Sequence, residues 1–307
     1  MVVKHSPRES SGGSERSSLF VQNLAGRYGR DRIFSFALWG AIVILMGVLA
    51  WLLVSIFLDG IGSLNWNFLT SFQSRKAERA GLLAAWQGTV WLMVLVAGLT
   101  FPIGVGAAIY LEEFATDNWF TRIVEINIGN LAGVPSIIYG LLGLTVFVRL
   151  FGNITNGSSI LSGGLTLTLL ILPVVIVATR EALRAVPDST RLAGFALGAN
   201  RWQVVWSHVL PAAMPGVLTG MILALSRAIG ETAPILVVGA AAFIASSPTG
   251  FLSRYTAIPV QIYNWASRPQ EEFHNLAASG IIVLMVLLLL MNATAVILRN
   301  RFQQRSS

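Results

Sequence analysis

Four stretches of this chain run for 20 or more residues without a charged side chain: Ile33–Leu58, Leu82–Leu111, Ile160–Thr179 and Asn275–Leu298. About 20 apolar residues of helix cross a bilayer core, and a helix is the open-ended element that bonds all its own backbone there. Two further runs have the same length with rare interruptions. Ile123–Val148 carries only Glu125, and Ala212–Ala240 carries only Arg227 and Glu231. The expected fold class is therefore all-α, a polytopic membrane protein of six transmembrane helices. Charged residues make up 11% of the chain, against about 25% in soluble domains, which is too little to clothe a water-facing surface.

The remaining sequence divides around these spans. Residues 1–32 are expected as a flexible cytoplasmic tail, since Met1–Ser18 is rich in Ser, Gly and charge. Residues 33–81 hold the first span and an extracytoplasmic segment, 82–298 the main transmembrane domain, and 299–307 a cytoplasmic tail. No cleaved signal is expected, because the first apolar run starts late and is too long for a signal core. Lys and Arg set the orientation. With the N-terminus inside, fourteen of them fall on the cytoplasmic side and six on the other, with Arg227 left within a span. Both termini are accordingly expected in the cytoplasm of a bacterial plasma (inner) membrane protein. That placement accounts for the net charge of +7 without nucleic acid. Cysteine is absent, and His5, His208 and His274 lack ligand spacing, so neither disulfides nor a metal site is expected. Gly and Pro recur within the spans, among them Pro102, Gly104, Gly140, Pro173, Pro215 and Gly216, which suits close helix packing around a path.

Between the fourth and fifth spans, Pro187-Asp188-Ser189 reads as a helix start. Gly198 suits a turn, Asn200 a cap for a second short helix, and Pro211 the opening of the fifth span. Leu192-Ala193-Gly194, Gly198 and Leu210-Pro211 resemble the loop by which ABC importer permeases couple to their ATPase, whose pattern begins Glu-Ala-Ala. Leu192 stands in place of that Glu and Gly194 in place of its second Ala, so the resemblance implies docking through the apolar face of Leu192, Phe195 and Ala196. The coupling set is Leu192, Ala193, Gly194, Phe195, Gly198 and Ala199.

The resemblance extends from Ala80 to Leu298. LAGVPSIIYGLLG (131–143), ALGANRWQVV (196–205), LPAAMPGVLTG (210–220) and ALSRAIGETAPIL (224–236) are similar to permeases of phosphate-specific transport (Pst) systems. Gly-Glu-Thr-Ala-Pro at 230–234 and VQIYNWASRPQEEFH at 260–274 resemble the A-type subunit, the PstA family. This implies a type I ABC importer permease fold and a role in passing inorganic phosphate by alternating access.

Arg227 and Glu231 stand out on physical grounds as well. They lie about 21 Å or more of helix rise beyond Ala213, where a charge costs roughly 2.5–3.5 kcal/mol. Spacing of four places both on one helix face. A guanidinium offers phosphate a planar fork of donors; Glu231 would limit the grip, and Thr232 would add a hydroxyl. A structural ion pair joining helices is the alternative reading. Glu125, Arg180, Glu181 and Arg184 are expected at helix ends, either as interfacial anchors or at the inner mouth.

No G-x-x-x-x-G-K-[ST] occurs, and a P-loop needs its Lys against the phosphates. The chain is thus expected to bind no cofactor and to be no enzyme. ATP and Mg would sit on a separate ATP-binding subunit dimer. The resemblance implies two more partners, a C-type permease and an extracytoplasmic phosphate-binding protein, in contact with membrane lipid. The loop Ile244–His274, with Arg254, Tyr255, Tyr263, Trp265 and Arg268, is either a docking surface for that protein or an interfacial belt. Other readings are an importer for another oxyanion or organic solute, an ion-coupled transporter with Glu231 as relay, and a membrane scaffold.

Overall fold

A computed structural model describes residues 24–241 and 243–305. Most of the expected N-terminal tail lies outside them. The described residues are helical or irregular, with no strand among them. In chain order the helices are α1 (Leu24–Ile61), α2 (Trp66–Thr70), α3 (Leu83–Ile109), α4 (Trp119–Leu131), α5 (Ser136–Gly143), α6 (Gly152–Thr155) and α7 (Ile160–Arg184). They continue with α8 (Asp188–Ala196), α9 (Arg201–Val204), α10 (Leu210–Gly230), α11 (Ala233–Val238), α12 (Ile258–Ala266) and α13 (Glu271–Arg305). Among the described residues, five helical segments are long and apolar enough to cross a membrane, or six if a bent pair is one span.

The chain forms two units, divided between Ser55 and Ile56. In the first, every described side chain from 31 to 54 is exposed, and from Ile33 the helix is apolar on all faces, as suits one wrapped by lipid. It begins at Leu24, inside the stretch expected to be flexible. Towards the other end α13 runs to Arg305, so the described part of the expected C-terminal tail is helical.

The second unit is built on α3, α7 and α10. Leu92 and Val96 of α3, Leu167, Ile171 and Val175 of α7, and Ala224 and Ala228 of α10 form one buried cluster. Within lipid, helices gain little hydrophobic free energy by meeting, and close van der Waals packing holds them instead. Small residues permit it here. A methyl on Gly104 would come within 2.8 Å of Val175, and one on Gly220 within 2.5 Å of Ala178.

Prolines explain where the expected spans differ. The third is two arms, Trp119–Leu131 and Ser136–Leu150, bent by 104°. The ring of Pro135 would collide with the carbonyl four residues back, and α4 ends on that residue, Leu131. The fifth starts earlier than expected, at Arg201, and ends earlier, at Gly230. Pro211 therefore does not open it; the helix reaches Pro211 through a π-helical turn, Val205–Val209, the kind of widened turn that absorbs a break in the usual bonding ladder.

The connection around α12 divides the residues picked out in Ile244–His274 between buried and exposed positions. Tyr255 and Trp265 are each 1% exposed, and burial pushes the Tyr255 phenol above its ordinary range. Arg254 and Tyr263 are exposed, while the Arg268 guanidinium lies 4.1 Å over the Phe273 ring.

Candidate functional site

Arg227 occupies the last turn of α10, where a cation complements the helix dipole. Its Nε donates to Glu231 Oε1 at 3.3 Å. The pair does not share a continuous helix face, contrary to the spacing. Glu231 stands past the helix end in extended conformation. Pro234 is the reason, since a helix continuing through it would press its ring on the Gly230 carbonyl. Arg227 remains 44% exposed and Glu231 17%, and Leu223, Arg227 and Gly230 line one exposed stripe of α10. Thr232 follows, half-buried, without a side-chain capping bond to α11.

Neighbouring elements fix this break. A Cβ on Gly140 of α5 would lie 2.8 Å from Pro234 Cα, so the two backbones meet directly. Gly239 closes α11 with φ of 98°, and Ser158 Oγ donates to the Val238 carbonyl at 2.9 Å. Tyr139 Oη donates to Leu131 O at 2.9 Å and so joins the two arms of the bent span. The result is a fixed helix break beside a guanidinium that has one donor engaged by a carboxylate and an open side, an arrangement able to bind and release an anion.

The segment between α7 and α10 is a helix–turn–helix with its turn and cap where expected, although its second helix runs on into the fifth span. Gly198 adopts φ of 82° at the turn, and Asn200 and Gln203 cap α9 reciprocally at 2.9 Å each. Leu192 is 67% exposed, Phe195 44% and Leu197 87%; Ala193, Ala196 and Gly198 are exposed too. Gly194 faces inward, where a Cβ would meet Val204 at 2.8 Å, and its carbonyl accepts from the half-buried Ala199. The segment thus presents an apolar outer face, backed by a small-residue inner one.

An ionic cluster at the base of this segment includes residues that the sequence reading passed over. Glu112 and Glu113 close the span of α3 on a π-helical turn, Tyr110–Phe114. Glu112 binds Arg180 at 3.1 Å and Arg184 at 2.7 Å, and Arg180 reaches Glu125 of α4 at 2.6 Å. Glu113, 7% exposed, binds Arg191 of α8 at 2.6 Å. Arg191 also donates to the carbonyls of Val186 and Leu183 at 2.8 and 3.0 Å. The hydrogen bond to Glu113 raises the Arg191 pKa above its ordinary value, more than burial lowers it. A cavity of about 470 Å³ opens among Glu112, Thr121, Arg122, Glu125, Arg180 and Arg184. The available signal was an acidic pair ending an apolar span where basic residues are the rule.

Residues 100–305 match the family described as binding-protein-dependent transport system inner membrane component. The probable ABC transporter permease protein YqgI of Bacillus subtilis is 34% identical over 203 residues, 66% of this chain and 67% of that protein. The phosphate transport system permease protein PstA of Yersinia pestis is 32% identical over 249 residues, 80% of this chain and 82% of that protein. The fold matches a bacterial alginate ABC transporter crystallised with its alginate-bound periplasmic protein, at a TM-score of 0.65, covering 89% of this chain and 96% of that one, with 15% identity. With its membrane-spanning helices and its helix–turn–helix between α7 and α10, the chain belongs to the family of inner membrane components of binding-protein-dependent transport systems.

Proposed function

We propose that this chain is the permease subunit through which an ATP-driven importer passes inorganic phosphate. Arg227 carries the reading. It is a guanidinium in the last turn of a membrane-spanning helix, half exposed and held by one carboxylate at 3.3 Å. Charge within an apolar run is expensive, and a purely structural pair gains little over apolar packing. An oxyanion pathway gives it a purpose, because phosphate can take over the donors as it passes. The relatives named as phosphate permeases support the choice of ion.

The rest of the assembly follows from the faces left open. The exposed stripe of Leu223, Arg227 and Gly230 faces a C-type permease across the pathway, so Arg227 serves a passage shared by two subunits. An ATP-binding subunit dimer docks against Leu192, Phe195 and Leu197. A phosphate-binding protein approaches from the opposite, extracytoplasmic end, and both termini lie in the cytoplasm. ATP and Mg are bound by the partner, whose closure moves the helix–turn–helix and re-tilts the helices around Arg227. Such a change requires the partners to bind the two states with different strength.

Radiolabelled phosphate uptake into proteoliposomes holding the assembled complex, its binding protein and ATP tests this reading. Wild type should show saturable, ATP-dependent uptake. Arg227→Gln should assemble and lose about ten- to a hundredfold of it, the worth of a charge-assisted bond to the ion. Uptake unchanged by the substitution would make the pair structural. A competent complex that ignores phosphate would reassign the solute.

A further inference from the structure

The helix–turn–helix touches the rest of the molecule through apolar, aromatic and ionic contacts. In the apolar one, Val204, Val205 and Val209 pack with Val105, Ile109, Leu183 and Val186. Phe114 meets the Trp202 ring and the Arg201 guanidinium. The ionic contact is the Glu113–Arg191 pair. Arg191 precedes Leu192, the position where the related loops carry an acidic residue, and it points away from the docking face with a side chain only 18% exposed. Its bonds to the Leu183 and Val186 carbonyls fasten it to the last turn of α7 and the residues just beyond, while Glu113 fastens it to the end of α3.

Glu113 has a neighbour of opposite reach. On the same π-helical turn, Glu112 binds Arg180 and Arg184 of α7, and Arg180 continues to Glu125 on α4. Two consecutive carboxylates therefore join the moving loop on one side to α7 and the bent span on the other. Apolar attraction is non-directional, whereas a hydrogen-bonded ion pair shielded from water fixes both the distance and the direction of its partners.

We propose that Glu113 and Arg191 form the strut that transmits displacement of the helix–turn–helix to α3, and through Glu112, Arg180 and Glu125 to α7 and α4. This rests on the ATP-driven permease reading given above. Both are positioning residues: they touch neither ATP nor the transported ion. In this chain, which lacks the acidic residue at 192, a buried pair one position earlier links the loop to the spans.

The test measures phosphate uptake and ATP hydrolysis together, in proteoliposomes of the full complex with its binding protein. Glu113→Gln, Arg191→Gln and the double variant are compared, with Arg191→Lys as the conservative change. Each single neutral variant should continue to hydrolyse ATP while uptake per ATP falls about three- to tenfold, the range by which residues along a coupling route change it. The double variant should be no worse than the poorer single one, and Arg191→Lys should recover part of the ratio. Uptake per ATP equal to wild type in the single variants overturns the strut. So do uptake and hydrolysis that fall in proportion, or losses that multiply in the double variant. Should a neutral variant fail to assemble, Arg191→Lys and the double variant are judged by the same ratio. A wild-type complex without ATP-driven phosphate uptake contradicts the permease reading instead, and is recognised before any variant is compared.

Discussion

Glu231 and Arg227 stand on either side of a helix end, joined by one bond of 3.3 Å. A tighter or bidentate clasp would compete strongly with a passing anion; a single bond is readily exchanged. A conduit must hold its ion weakly enough to let it go. Removing the carboxylate charge while keeping its shape should leave Arg227 fully available. Glu231→Gln is thus expected to lower the KM for phosphate uptake and to lower the maximal rate with it, each by about three- to tenfold, because a ground-state grip is strengthened at the expense of release. A raised KM at unchanged rate would mean that Glu231 itself shapes the binding site. The pair was legible in the sequence, since charge within an apolar run needs an explanation. Glu112 and Glu113 were not, because an apolar run counted from Leu82 ends just before them, and their arginine partners are 68 or more positions away in the chain.

Prolines end some of these helices and are carried within others. Pro135 and Pro234 follow helices that stop at Leu131 and Gly230, the residues whose carbonyls their rings would strike. Pro211 is accommodated by the π-helical turn before it, and Pro102, Pro173 and Pro215 lie within helices that continue. Hydropathy registers none of this: Ile123–Val148 and Ala212–Ala240 read as unbroken spans because both arms of each break are apolar. The small helices past the breaks, α5 and α11, gain their positions from each other, backbone to backbone at Gly140 and Pro234. Gly140→Ala places a methyl 2.8 Å from a Cα and 3.1 Å from a carbonyl oxygen, neither of which can rotate away. We expect it to cost about 1–3 kcal/mol, as overpacking does, read as a lower unfolding temperature of the detergent-solubilised complex and a fall in uptake. An unchanged unfolding temperature would show that α5 and α11 yield more easily than their close approach implies.

Across the whole molecule, α10 leads from the helix–turn–helix to the break beside Arg227 and, through α11, to the connection at 241–257. These two connections therefore lie at opposite ends of the spanning helices, and the positive-inside bias assigns the arginine-rich one to the cytoplasm. Its outer face, with Leu197 at 87% exposure, is costly to leave in water and suits a protein partner on that side. The absence of cysteine makes the assignment directly measurable, because a single introduced thiol is the only one in the chain. A membrane-impermeant maleimide should label Ser247→Cys, at an exposed position, in intact cells. Leu197→Cys should react only once the membrane is opened, and less when the ATP-binding subunits are present than in their absence. The reverse pattern would invert the orientation and move the binding-protein face to the arginine-rich end. Equal labelling of Leu197→Cys with and without the ATP-binding subunits would leave the orientation standing and remove this apolar face from the docking surface.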